Sequence, residues 1–234
     1  MKTAIITGAS SGIGLATAIK LKSEGYNVVG SYLTNEETAK AVELEYGIPF
    51  IRCDVSSESD VGALFNYAEK LYGKVTLVIA NAGVALKQIP LLDVSEEDID
   101  RVISVNLKGA ILTDKRAVLS MLSGGGRIVN VSSIFGLSGG SCEVPYSATK
   151  AGVIGLTKAL AEETSSSNIE VLGVALGLVD TPMNAHLSSE DKLNFCKECN
   201  LDKIPSASDT ANELYKIISS SENLNGQIIT VFAG

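Results

Sequence analysis

Thr3-Ala4-Ile5-Ile6-Thr7-Gly8-Ala9-Ser10-Ser11-Gly12-Ile13-Gly14 reads as a short apolar strand, a glycine-rich turn and the start of a helix. Residues 3–7 are apolar without strict alternation, the pattern of a strand covered on both faces. The turn spaces its glycines as Gly-x-x-x-Gly-x-Gly. There, backbone N–H groups can approach a pyrophosphate, and the N-terminus of the following helix favours its negative charge. Gly8, Ser10, Ser11, Gly12, Ile13 and Gly14 are therefore candidate cofactor-binding residues. A turn of this kind also suits a plain strand-to-helix connection, so its meaning depends on the rest of the chain.

The same alternation continues beyond the turn. Further strands are predicted at 27–32, 75–80, 127–131, 170–175 and 227–232, with a weaker one at 49–52. Helices are predicted at 13–24, 36–46, 58–72, 96–122, 147–164 and 208–219. Thr34 and Glu37 have the spacing of a capping box for the second helix. Gly25 suits a C′ residue closing the first, and Ser95 before Glu96, Glu97 and Asp98 suits a helix start. Strand and helix in turn predict right-handed βαβ units. The expected fold class is α/β: a doubly wound parallel sheet (Rossmann-type) of about seven strands with helices on both faces. Residues 1–234 are expected to form a single domain, with residues 178–204 as a small helical lid that interrupts the alternation.

Composition narrows the function. Hydrophobic residues make up 45% of the 234, enough for a large core, and charged residues 20%. No apolar stretch approaches the ~20 residues that span a bilayer, and residues 1–7 lack a signal-peptide pattern. A cytoplasmic protein with no membrane partner is expected. The net charge of −8 argues against a nucleic-acid partner. The four cysteines suggest no disulfide framework. Cys196 and Cys199 form a C-x-x-C without a second pair, so no metal site is expected. His186, the only histidine, is expected at the surface of a polar loop.

Two further loops come directly after predicted strands. Asp54-Val55 follows the third and Asn81-Ala82-Gly83 the fourth, at the strand ends where open α/β sheets bind ligands. The fifth strand ends at Ser132-Ser133, and Tyr146 and Lys150 share one helix face at i, i+4. An ammonium near a phenol lowers its pKa from ~10, which makes tyrosine usable as a general acid or base. A serine hydroxyl beside it can hold a substrate oxygen.

The 7–14 turn, Asp54, residues 81–83, Asn106, Ser133 and Tyr146-x-x-x-Lys150, in that order, resemble the compact short-chain dehydrogenases/reductases, most of all the 3-oxoacyl-acyl-carrier-protein reductases. The resemblance runs from Met1 to Gly234. It implies an NAD(P)-dependent enzyme that reduces a ketone to an alcohol by hydride transfer, as in fatty acid biosynthesis. Tyr146 would be the proton donor. Lys150 would depress its pKa and hold the nicotinamide ribose. Ser133 would bind the carbonyl, with Ser132 a neighbouring loop residue, and Asn106 would complete a proton relay through water. Gly177, Val179 and Thr181 fit further cofactor contacts. A homotetramer built on helices 96–122 and 147–164 and the last strand is also implied. The chain departs from the family at Leu176-Gly177, where Pro-Gly is usual, and at Phe232-Ala233, where Asp-Gly is usual.

Cofactor and substrate choice rest on particular residues. Tyr32 stands where an NAD-preferring site has a carboxylate for the ribose 2′-hydroxyl. Glu36 and Glu37 belong to the next helix. Ser31 and Thr34 are available donors, although no cation lies between Gly30 and Asn35 or at Ser11. NADP(H) is expected over NAD(H), which remains possible. The substrate is a small-molecule or carrier-bound carbonyl. Segments 123–126 and 165–168, expected to flank the mouth, offer no cation besides Arg127, and a charge of −8 repels an acidic carrier protein. Glu143 is expected near the entrance, where it suits an amine-bearing ketone. The segment 139–144 also resembles that of a reductase subgroup acting on 5-aminopentanone on elongation factor P. A non-catalytic dinucleotide sensor is the third reading; the complete set of Asn106, Ser133, Tyr146 and Lys150 argues against it.

Overall fold

The computed structural model describes residues 2–199 and 201–232. Among these, seven strands form one sheet: β1 (Thr3–Ile6), β2 (Asn27–Tyr32), β3 (Phe50–Arg52), β4 (Val75–Ala80), β5 (Gly126–Ser133), β6 (Ile169–Leu176) and β7 (Ile228–Val231). Their order is β3-β2-β1-β4-β5-β6-β7, and every pair is parallel. The helices are α1 (Gly12–Ser23), α2 (Glu36–Tyr46), α3 (Glu58–Tyr72), α4 (Glu96–Ile103), α5 (Gly109–Met121), α6 (Phe135–Ser138), α7 (Val144–Glu163), α8 (Ser189–Glu198) and α9 (Ala207–Ser219).

Successive strand side chains point to opposite faces of a sheet, and both faces are buried here. Ala4 and Ile6 pack with Ala18 and Leu21 of α1, Val42 of α2, and Leu214 and Ile218 of α9. Ile5, Val78 and Ile128 pack with Phe65 of α3, Ala117 and Met121 of α5, and Ala161 of α7. β1 is flanked by β2 on one side and β4 on the other. The chain leaves it in opposite directions, which opens a crevice at its carboxyl end.

Helix ends are set locally. Ser57 and Ser95 accept hydrogen bonds from the Asp60 and Asp98 amides at the starts of α3 and α4. Ser206 and Asp209 form a full capping box on α9. Gly25 follows α1 with φ +84°, as its C′ position requires. The capping box expected at Thr34 and Glu37 does not form. Asn35 is the N-cap, so Thr34 lies one residue too early.

The expected single helix over 96–122 is also interrupted. Ser104–Lys108 is π-helical and separates α4 from α5. Asn106, a poor helix former, spends its side chain on the backbone of Val84 instead: Oδ1 accepts from the Val84 N–H at 2.8 Å and Nδ2 donates to the Val84 carbonyl at 2.9 Å. α7 starts at Val144, so Tyr146 sits in its first turn. Ser132 belongs to β5 and is not a loop residue.

Residues 178–199 carry a short turn, Pro182–Asn184, and α8 before the chain reaches α9. Asn200, within the segment read as a lid, and Ala233 lie outside the described residues. Among the described residues no helix is long and apolar enough to cross a membrane.

Candidate active site

The glycine-rich turn is shaped by contacts that a side chain would break. Gly8 has φ +64°, and a Cβ there would come within 3.0 Å of Ala82 Cα. A Cβ at Gly14 would strike the Gly8 carbonyl oxygen and come within 2.5 Å of Asn81 Nδ2. That Asn81 amide donates to the carbonyls of Thr7 (2.9 Å) and Gly8 (3.2 Å), and Thr7 Oγ1 accepts from the Asn81 and Ala82 N–H groups at 3.0 Å each. Asn81 thus laces the turn to the end of β4. The α1 N-cap, Ser11, makes no side-chain bond to the helix amides, which leaves them to an anion.

One groove is lined by Gly8, Ser10, Ser11, Gly12, Ile13, Gly14, Tyr32, Asp54, Val55, Asn81, Ala82, Gly83 and Thr181. A dinucleotide fits such a groove: Gly8, Gly12 and Gly14 bring bare backbone to it, and it runs past an uncapped helix N-terminus. It adjoins a cavity lined by Ser133, Tyr146, Lys150, Gly177 and Val179, with Ile13, Asn81, Gly83, Thr181 and Met183 shared between the two. Asn106 lies behind Gly83, where a Cβ would be 3.3 Å from Asn106 Oδ1 and 3.7 Å from Lys150 Nζ. Asp54 Oδ1 is held by the Ser56 N–H (2.9 Å) and hydroxyl (2.7 Å). At the Leu176-Gly177 departure, Leu176 completes the β6–β7 ladder, and a Cβ on Gly177 would meet Phe232 at 2.9 Å.

At the back of the cavity the Lys150 ammonium donates to the Val131 carbonyl at 2.9 Å and lies 5.6 Å from the Tyr146 ring centroid. Ser132 Oγ donates to the Lys150 carbonyl at 2.8 Å. The Ser133 hydroxyl accepts from the Phe135 N–H at 3.2 Å and lines the same cavity as the Tyr146 phenol, whose pKa it lowers. Burial pushes the Tyr146 phenol up to about 12, against the Ser133 hydroxyl, and burial pulls Lys150 down to about 8. The expected depression of Tyr146 by Lys150 is therefore not found. The ammonium donates to a backbone carbonyl, and desolvation is the largest influence on the phenol. The phenol stays protonated at neutral pH. Beside Ser133, it can hold and protonate a carbonyl oxygen.

Glu143, the residue before α7, is not on the rim but in the cavity wall, 8% exposed. Oε1 accepts from Gln88 Nε2 at 3.1 Å, whereas Oε2 is buried without a partner. Burial raises its pKa, while Gln88 and His186 act the other way. His186 is exposed as expected, its Nδ1 3.1 Å from the Met183 carbonyl, and sits at the cavity edge. Among the described residues no cluster of His, Cys, Asp or Glu could hold a metal, and Cys196 is buried.

A further expectation is overturned. Segments 123–126 and 165–168 do not flank the mouth. Gly124–Gly126 and Asn168 line a depression with Lys2 and Tyr26 where β5 and β6 begin. In a parallel sheet, connections entering strands lie at the edge opposite those leaving them. Their lack of cations therefore says nothing about carrier docking.

Sequence reasoning also missed residues that only folding brings in. Gln88 and Phe195 line the cavity, and Arg101 lines the groove. Arg52 is the register partner of Tyr32 on the neighbouring strand. None carries a local signal; about twenty residues of chain separate Tyr32 from its partner.

Known proteins share this architecture. A family model described as short chain dehydrogenase matches residues 2–192. The 3-oxoacyl-(acyl-carrier-protein) reductase FabG of Staphylococcus aureus (strain Mu50) is 35% identical over a 240-residue alignment covering 100% of this chain and 97% of that protein. Its namesake from Aquifex aeolicus is 34% identical, covering 100% and 96%. The crystal structure of a 3-ketoacyl-(acyl-carrier-protein) reductase from Brucella melitensis complexed with NADH superposes with a TM-score of 0.92 at 26% identity, covering 100% of this chain and 97% of that one. Likeness of this extent, on a sheet of this order, places the chain in the short-chain dehydrogenase/reductase family of NAD(P)-dependent oxidoreductases.

Proposed function

We propose that this protein is an NADP(H)-dependent reductase of a 3-oxoacyl-type ketone, with Tyr146 as the proton donor. The observation that carries the reading is the convergence of Ser133, Tyr146 and Lys150 on one cavity that continues into the glycine-lined groove. When bound, the nicotinamide supplies a hydride to the carbonyl carbon. Ser133 and Tyr146 hold the carbonyl oxygen, and Tyr146 gives up its proton as charge builds there. Lys150 holds the ribose hydroxyls and replenishes that proton through a water relay anchored at Asn106. Residues 178–204 act as a lid on a single catalytic domain: Met183, Leu187 and Phe195 wall the cavity. NADP(H) is favoured because residues 31–35 carry no carboxylate and Arg52 is paired in register with Tyr32. The names of the curated relatives support a carrier-borne acyl substrate. The exposed apolar residues Ile103, Ile111 and Leu119 along α4 and α5, with Leu122 just past the end of α5, support a homotetramer, and the reading places it in the cytoplasm.

Replacing Tyr146 by Phe tests the reading. Turnover of a 3-oxoacyl thioester should fall by about 10²–10⁴-fold, the usual worth of a positioned acid, while NADPH binding by fluorescence titration stays unchanged. A Y146F variant that keeps more than a few per cent of activity sinks the assignment.

Glu143 favours a second reading, an amine-bearing ketone such as a 5-aminopentanone group. The unpartnered, buried Oε2 needs a donor, and a cation would satisfy both the oxygen and the charge. Under this reading Glu143→Gln raises KM for an aminoketone by about 10–100-fold, the worth of a ~1.5–3 kcal/mol charge-assisted bond, and leaves a neutral 3-oxoacyl thioester unaffected. If the thioester is the better substrate of the unmodified protein and E143Q improves it, the first reading stands alone.

A further inference from the structure

Asp114, on α5, is 1% exposed and plays no part in the chemistry above. It faces Asn130 of β5, which is 0% exposed. Asn130 Nδ2 spends one hydrogen on Asp114 Oδ2 at 2.8 Å and the other on Thr157 Oγ1 of α7 at 3.1 Å. The Thr157 hydroxyl donates in turn to the Val153 carbonyl at 2.8 Å. Every donor in this cluster is then used, yet Asp114 Oδ1 and Asn130 Oδ1 remain buried with no partner. A carboxylate held by one neutral amide is poorly compensated in such a place.

A single proton removes both deficits. Placed on Asp114 Oδ1, it makes that oxygen a donor, and the unpartnered amide oxygen of Asn130 would be its acceptor. A carboxylic acid and a primary amide pair face to face through two such bonds, and the amide keeps its second hydrogen for Thr157. We propose that Asp114 is a neutral carboxylic acid in the working protein, doubly hydrogen-bonded to Asn130, and acts as a positioning residue for the β5 segment that holds Lys150.

That segment is three consecutive residues. Asn130 is tied to α5 and α7, Val131 offers its carbonyl to the Lys150 ammonium, and Ser132 donates to the Lys150 carbonyl. No charged group nearby competes for Asp114. On α5, Lys115 pairs with Glu58 and Arg116 with Glu69, both on α3. On α7, Lys150 is committed to Val131 and Lys158 is exposed. On β5, Arg127 pairs with Glu170, and β4 carries no charge. Burial pushes the Asp114 carboxyl up to about 7, against the Asn130 hydrogen bond. The unfolded carboxyl titrates near ~3.9. The folded state therefore binds the extra proton between these values. Asp114's contribution to stability is full below about 4, falls as pH rises and is gone above about 7.

Asp114→Asn separates the alternatives, because an amide donates and accepts as the neutral acid does. Melting temperatures of wild type and D114N, read from about pH 5 to about pH 8.5 so that the folded-state titration is crossed, should lie close together at the acid end. D114N should become the more stable by several degrees at the alkaline end. Carbon-13 NMR of Asp-labelled wild type, which needs no variant, should show one carboxyl titrating near neutrality. A D114N melting temperature that falls below wild type at alkaline pH, or Asp carboxyls that all titrate in the ordinary range, overturns the neutral acid. The kinetic arm rests on the Tyr146–Lys150 reading. The wild-type kcat should decline above neutrality, D114N should lack that decline, and KM for NADPH should not change in either. If the NMR and melting results hold but the kcat profiles coincide, the positioning role is overturned while the acid–amide pair survives. Failure of the reductase reading would appear separately, as Tyr146→Phe retaining activity.

Discussion

Tyr146 and Lys150 show how one environment shifts two groups in opposite senses. Burial disfavours the charged form of each, so the phenol rises to about 12 and the ammonium falls to about 8. Both shifts suit reduction, where a neutral acid must be ready beside the carbonyl. The i, i+4 spacing marks the pair in the sequence, but nothing local reveals that the ammonium would be taken by Val131. Arg52 illustrates the same limit. It ends the short strand β3, and its proximity to Tyr32 exists only through the β2–β3 register. If Arg52 meets a ribose 2′-phosphate, Arg52→Ala should raise KM for NADPH by about 10–100-fold, the worth of a charge-assisted bond, and leave KM for NADH unchanged. Initial rates with the two cofactors check this; equal losses with both would assign Arg52 to the packing of β3 instead.

At the scale of elements, the turn between β1 and α1 is the most constrained piece. Gly14→Ala would force a methyl against the Gly8 carbonyl and the Asn81 amide that laces the turn to β4. Overpacking of this kind costs about 1–3 kcal/mol. The expected outcome is a melting temperature lowered by several degrees and NADPH binding weakened more than stability alone requires, both read by thermal shift with and without NADPH. Strands and most helices were legible because each repeats a simple period: apolar runs for doubly covered strands, spaced apolar residues for helices. The breaks were not. The π-helical turn at Ser104–Lys108 alters the helical phase by a single residue, too little for a periodicity to register. The bonds between Asn106 and Val84 that accompany it span 22 residues. The start of α7 at Val144 was missed because Pro145, acceptable in a first turn, reads as an interruption.

Across the whole molecule, net charge and loop position behave differently as evidence. A charge of −8 belongs to the sequence alone. Which edge of the sheet a loop occupies depends on strand direction, and that misplaced segments 123–126 and 165–168 at the mouth. The alternation of elements, the order of the motifs and the Tyr146–Lys150 spacing were open to reading because each is a relation between neighbours in the chain, and steric and periodic rules act at that range. The burial of Glu143 with an unsatisfied oxygen, the Asp114–Asn130–Thr157 cluster and the convergence of Gln88, Phe195 and Tyr146 on one cavity were closed to it. These are relations across tens of residues, created when helices pack on both faces of a parallel sheet and remove particular polar groups from water. Desolvation is a property of the surroundings and not of the residue, so it comes into being only with the packed fold.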